Sequence, residues 1–283
     1  MVGLLTFASE DGVPIAAETI FTIGNFGITN SMILGMLVAV GLIITFVLTA
    51  IYTTVRPQSK FAFSMESALE FVTSNLKSTL GSEAKARAFL PLFAALFFFI
   101  LLNNLIGLFP AMGGTVYVVN DEGIKAALLR PFTTDLNGTL ALAIISIGTV
   151  QYFAIKQRGG WGHLKHYFSI MQPWWNPMNF FIGIIEILGE LIRLLTLALR
   201  LFGVIYAGEV LLHVITNLSG NFAPIAVFPV VLMEIFFSVI QAYLFLMLAS
   251  TYLAIGTSTD GHDDIQPESQ STAHQKSMAA TNA

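Results

Sequence analysis

No cysteine occurs anywhere in the 283 residues. Disulfides, thiolate metal sites and thiol redox chemistry are therefore excluded. Charge is scarce too: Asp, Glu, Lys and Arg make up 11% of the chain, against 55% hydrophobic residues. The first 30 residues hold no Lys or Arg, so the basic start of a cleavable signal peptide is missing and no such leader is expected. Proline is absent from 179 to 216, and no polar run interrupts that stretch. No internal repeat is visible, which removes the main sequence sign of duplicated transporter architectures.

What the chain has instead is long apolar runs and a mean hydropathy of +0.76. Runs beyond about 18 residues read as membrane spans. The pattern predicts an all-α polytopic membrane protein with spans at 31–57, 87–109, 136–155, 179–216 and 224–256. Residues 62–80 mix Phe63, Leu69, Phe71, Val72 and Leu76 with Glu66, Glu70 and Lys77. That mixture is too polar to cross lipid and predicts an amphipathic helix at the interface. As straight helices the last two spans would measure about 57 and 48 Å at 1.5 Å per residue, whereas a bilayer core is about 30 Å thick. They are expected either to lie strongly inclined, as a steeply tilted hairpin over about 176–256, or to break at Gly183, Gly189, Gly203 or Gly208. The turn is placed in the stretch TNLSGNFAP, 216–224.

Three regions follow: 1–30 as an outside segment, 31–256 as the membrane domain, and 257–283 as a polar tail expected to be disordered. The loop at 110–134 has a hydrated centre, VVNDEGIK, and the loop at 156–175 is basic and aromatic, as suits an interface belt. Five Lys/Arg fall at 56–87 and three at 156–165. The loop 110–135 carries two, offset by Asp121, Glu122 and Asp135, and the segment 216–224 carries none. The positive-inside bias then places the N-terminus outside and the C-terminus in the cytoplasm after five crossings.

Ionisable groups lie within the last two spans: Glu186, Glu190, Arg193, Arg200, Glu209, His213 and Glu234. Each charge at mid-bilayer costs about 2.5–3.5 kcal/mol on the insertion scale, so such groups face protein or a water-filled cavity. Glu190 and Arg193, at i and i+3, can simply pair or snorkel to the interface. Glu186 lies nearer the start of its helix and reads as either interfacial or functional. Arg200 resists such readings. Its neighbours at i±3 and i±4 are Thr196, Leu197, Gly203 and Val204, none of them acidic. Arginine does not deprotonate in proteins, so its partner must come from another helix or another polypeptide. Thr196, Gly203 and Ala207 share its face and are small, which lets another helix approach closely. A partner helix bearing a carboxylate is the natural expectation. On the opposite side, Glu209 and His213 are spaced i, i+4, and Glu234, Ser238 and Gln241 form a stripe on the last helix. Packed as antiparallel neighbours, these make a polar seam open toward the outer turn. Glu and His can pass protons along such a seam, although a lone buried His is more often structural.

The stretches LALRLFGVIYAGE, EIFFSVIQAYLF, LLNNLIGLFP and TTDLNGTLALA resemble the a subunit of the F-type ATP synthase membrane sector, over roughly 30–256. The resemblance implies a proton-conducting stator in an energy-coupling membrane, either a bacterial inner membrane or the inner membrane of an organelle. Such a protein catalyses nothing by itself and uses no cofactor. Its implied partners are a c-subunit ring, b-type subunits of a peripheral stalk, the catalytic sector indirectly, and the lipid bilayer. Carried over residue by residue, Arg200 is the arginine facing the ring carboxylate and Gln241 supports it. Glu209 and Glu234 line the outer half-channel, with His213 and Ser238 on the same seam. Glu186 matches an acid near the inner half-channel, and Asn104 matches an asparagine of the NN stretch. Departures from the pattern are Val204 where Asn is frequent, Leu194 where proline is common, and acids at both 209 and 234 where many members pair an acid with a histidine. A solute/proton antiporter would call for an internal substrate site and usually a repeat. A voltage sensor would call for regularly spaced arginines, and only Arg193 and Arg200 qualify.

Overall fold

The computed structural model describes residues 17, 19–23, 26–55, 60–108, 117–119, 125–127, 130–158 and 177–257. The expected disordered tail, most of the outside segment, and the basic aromatic loop beyond 158 lie outside these residues. Among the described residues six helices carry the fold: α1 (Asn30–Val55), α2 (Lys60–Leu80), α3 (Glu83–Gly107), α4 (Leu136–Arg158), α5 (Pro177–Ser219) and α6 (Ala223–Thr257). Among the described residues four stretches are long and apolar enough to cross a membrane, and the last, Ile187–Gly256, takes in most of α5 and nearly all of α6.

Two features depart from an all-α reading. Strands β1 (Thr19–Ile23) and β2 (Phe26–Thr29) pair antiparallel ahead of α1, and β3 (Tyr117–Val119) pairs with β4 (Lys125–Ala127) inside the loop expected to be irregular. The first pair has a local cause: TIFTI and FGIT are rich in β-branched and aromatic residues and flank Gly24-Asn25, a hairpin-turn dipeptide. β2 runs directly into α1, where the Thr29 and Ser31 hydroxyls share a 3.0 Å hydrogen bond.

The interfacial helix forms as its pattern demands. In α2, Ala62, Val72 and Leu76 are buried while Phe61, Phe63 and Phe71 are exposed. Gly81, with φ +65°, ends the helix, and its N–H donates to the Lys77 carbonyl at 3.0 Å. Only glycine takes that left-handed conformation without strain.

The alternative left open for the fifth helix resolves toward continuity, because α5 runs unbroken for 43 residues. Its glycines therefore do not act as breaks, and the chain reverses only at Gly220, where φ is +50°. Around the hairpin lies one apolar core. Phe89, Phe93, Phe97 and Ile100 of α3 pack with Leu142, Ala143 and Val150 of α4, Leu197, Ala198 and Leu201 of α5, and Ala242, Phe245, Leu246, Ala249 and Leu253 of α6. α1 sits apart and packs through Leu34, Val38 and Leu42 against Phe98, Phe99, Leu102 and Ile106. Large apolar side chains such as Met36, Ile43, Ile187, Ile192 and Phe236 are exposed, as expected where lipid is the solvent. A short 3-10 turn, Phe132–Thr134, follows Pro131 and leads into α4. Phe132 is seated against Gly35 and Gly138, where side chains would collide with it. The segment 130–135 is thereby held among α1, α3, α4 and α5.

Candidate functional site

The register of the α5–α6 hairpin sets the height of every polar group on it. Three cross-hairpin contacts define it. Toward the start of α5, the Arg193 guanidinium lies 5.5 Å from the Tyr252 ring centroid. Arg200 and Gln241 line one shallow depression together with Leu197, Leu201, Phe245 and Leu248. Nearer the turn, the Glu234 carboxyl fills the space left by the missing side chain of Gly208.

Arg200 is exposed, and so are Thr196, Gly203 and Ala207 on the same face. A side-chain carbon added at Gly203 would meet no atom within 4 Å. Among the described residues Arg200 makes no ion pair. The chain thus presents an unneutralised guanidinium on a smooth, outward-facing strip of helix, backed by the largely buried amide of Gln241.

Glu209 does have a partner, and sequence reading missed it. Arg130, from the segment ahead of α4, is only 3% exposed. Its Nε and Nη2 groups both donate to Glu209 Oε2, at 3.3 and 3.2 Å. Its guanidinium also lies 5.8 Å from the ring centroid of Tyr206, one turn from Glu209 on α5. His213 lies one turn further on and shares a 3.0 Å hydrogen bond with Asn217. Glu234 is 3% exposed, and among the described residues it makes no hydrogen bond or ion pair. One turn along α6, Ser238 is buried with its hydroxyl unpartnered.

A second polar cluster adjoins Arg130. The Ser31 hydroxyl donates to Asp135 Oδ2 at 3.0 Å, and Asp135 Oδ1 accepts the Asn137 N–H at 3.0 Å, capping α4. The Thr133 hydroxyl donates to Asn104 Oδ1 at 2.5 Å. Asn104 is therefore fixed from the turn, while its Nδ2, like Asn103 Oδ1 and Ser146 Oγ, is buried without a partner. Asp135, counted from sequence among the acids that offset the basic residues of the 110–135 loop, is 6% exposed.

The remaining candidates stand elsewhere. Glu190 accepts from Arg193 Nη1 at 2.8 Å, the simple i, i+3 pairing. Glu186 lies on α5, and its side chain is outside the described residues. Among the described residues no three His, Asp or Glu side chains converge as a metal site. Glu209 had one available signal for its hidden cation. Its neighbours at i±3 and i±4 are Ile205, Tyr206, Leu212 and His213, so like Arg200 it lacks a fixed counter-charge on its own helix.

A family model described as ATP synthase A chain matches residues 31–254. The chain belongs to this family. Among relatives, ATP synthase subunit a of Citrifermentans bemidjiense is 33% identical over 189 residues, covering 67% of this chain and 71% of the relative. ATP synthase subunit a of Oceanobacillus iheyensis is 35% identical over 204 residues, or 69% and 77%. ATP synthase subunit a 2 of Bradyrhizobium sp. is 28% identical over 255 residues and spans 88% of this chain and 98% of that one. The matched region contains all six helices apart from the first residue of α1 and the last three of α6.

Proposed function

We propose that the chain is the proton-conducting stator of a rotary F-type ATP synthase, coupling proton flow to rotation of a ring of carboxylate-bearing c subunits. The observation that carries this reading is the exposed Arg200 on its small-residue strip. A fixed cation that no described residue of its own chain neutralises, on an apolar membrane helix, calls for an anion from a partner.

The mechanism follows from the hairpin. Protons come from the outer side through the polar seam of Glu209, His213, Glu234 and Ser238, near the turn, and protonate a ring carboxylate. A neutral carboxyl moves into lipid at small desolvation cost. After most of a turn it reaches the other flank of Arg200, where the cation favours ionisation and the proton leaves by the inner half-channel, with Glu186 at its wall. Arg200 also opposes direct leakage, since its fixed positive field repels a passing proton. Gln241 holds the guanidinium toward the ring. The unpartnered polar atoms of Asn104 and Ser238 suit a hydrated outer path. A steep inclination of α5 and α6 to the membrane fits their length, about 65 and 52 Å at 1.5 Å per residue. The reading places the N-terminus outside and the C-terminus in the cytoplasm of a bacterial inner membrane, with b-type stalk subunits and the catalytic sector completing the assembly.

The absence of cysteine makes a direct test available. Gly203→Cys or Ala207→Cys, paired with a cysteine on the outer helix of the ring, is expected to crosslink under mild oxidation and to stop ATP-driven rotation until reduced. A control cysteine at the exposed Ile145 of α4 is expected not to crosslink. Equal crosslinking from both positions, or none from α5, contradicts the reading.

A further inference from the structure

The Arg130–Glu209 ion pair gives the two outer carboxyl groups different surroundings. We propose that Arg130 is a positioning residue that clamps Glu209 as a fixed anion, leaving Glu234 as the carboxyl that takes up and delivers the proton. The inference rests on the stator reading above and deepens it.

Two N–H groups of Arg130 converge on a single oxygen of Glu209, with the cation 3% exposed. Loss of Arg130 alone takes the two-donor clamp from a carboxylate that is 30% exposed, and loss of Glu209 alone takes this carboxylate from a buried guanidinium; both are unfavourable. The groups around Glu209 are Arg130 from the segment before α4, Thr134 from the 3-10 turn, His213 on its own helix, and Glu234 from α6. Arg130 alone among them grips the carboxylate through two donors. Glu234 has different surroundings. It faces Glu209 and the bare backbone of Gly208 on α5, with no cation bound to it among the described residues. It also begins the α6 stripe that continues through Ser238 to Gln241 beside Arg200. Glu209 stands off that stripe. In each cycle one proton passes from outer water to the Glu234 carboxylate, and from the Glu234 carboxyl to a ring carboxylate. The Arg130–Glu209 pair returns unchanged.

The test uses the assembled complex in inverted membrane vesicles. Arg130→Gln and Glu209→Gln are each expected to lower ATP-driven proton pumping about ten-fold or more, because each takes one partner from the pair. The double variant Arg130→Gln/Glu209→Gln removes both charges together and is expected to recover to within about three-fold of the parent. Glu234→Gln is expected to be inactive in either background. The outer-side pH dependence of ATP synthesis is expected to move with Glu234→Asp and to stay in place with the double variant, a distinction that a purely structural Arg130 does not produce. An assembled double variant that pumps no better than Glu209→Gln overturns the proposal, since Glu209 then carries the proton itself. A double variant lost from the complex overturns it too, because a neutral pair should still pack. If Glu234→Gln and Arg200→Ala both pump normally, the stator reading itself fails, a result separate from either of these.

Discussion

A methyl group at Gly208 would occupy the space that the Glu234 carboxyl fills. The two residues sit on opposite arms of the hairpin, so glycine is required here by close approach across helices and not by backbone conformation. Gly208→Ala is expected to push Glu234 off its stripe and lower ATP-driven pumping about ten-fold. Adding the shorter Glu234→Asp should restore part of the loss. Pumping by Gly208→Ala at the parent rate, measured in vesicles with equal amounts of complex, would contradict that placement. At this scale the sequence is only partly legible. Arg200 announces itself because every neighbour within one turn is uncharged. Arg130 does not, because it sits among loop residues where an arginine is ordinarily solvated, and its contact with Glu209 spans 79 positions. Asp135 is hidden for the same reason, since its partner Ser31 is 104 positions away.

At the scale of elements, periodicity and length do most of the work. α2 is readable from its mixed faces, and α5 from an uninterrupted apolar run with no proline. Whether α5 breaks at a glycine is not readable, since glycine weakens a helix by only about 1 kcal/mol and packing against α4 and α6 outweighs it. The short hairpins are missed because three- to five-residue strands carry too few residues to establish a period of two. The Glu190–Arg193 pair illustrates how an element anchors itself. It is about one-third exposed and joined across the hairpin to Tyr252, which ties the first half of α5 to the end of α6. A double-mutant cycle of Glu190→Ala and Arg193→Ala, followed by thermal unfolding in detergent, is expected to give a coupling of no more than about 1 kcal/mol. Pumping is expected to stay within about two-fold of the parent in Glu190→Gln. A ten-fold loss in that variant would make Glu190 part of the inner proton path.

At the scale of the molecule, α3, α4 and α6 form the packed side and, among the described residues, the strip of α5 with Thr196, Arg200, Gly203 and Ala207 is left uncovered. The core explains why the hairpin holds its register: Leu197, Ala198 and Leu201 bury one face of α5 while Arg200 points away from it. The polar seam and the arginine then lie on different faces and at different heights, separated by about 13 Å along α5. That separation suits the two offset half-channels proposed above, one on each flank of Arg200. The central measurement is proton movement through membranes carrying Arg200→Ala, with the catalytic head attached and then stripped away. Abolished ATP-driven pumping in the intact complex, with passive proton leak equal to or above the parent's once the head is removed, is the expected result. Undiminished pumping by the intact Arg200→Ala complex would contradict the assignment of Arg200 as the gate.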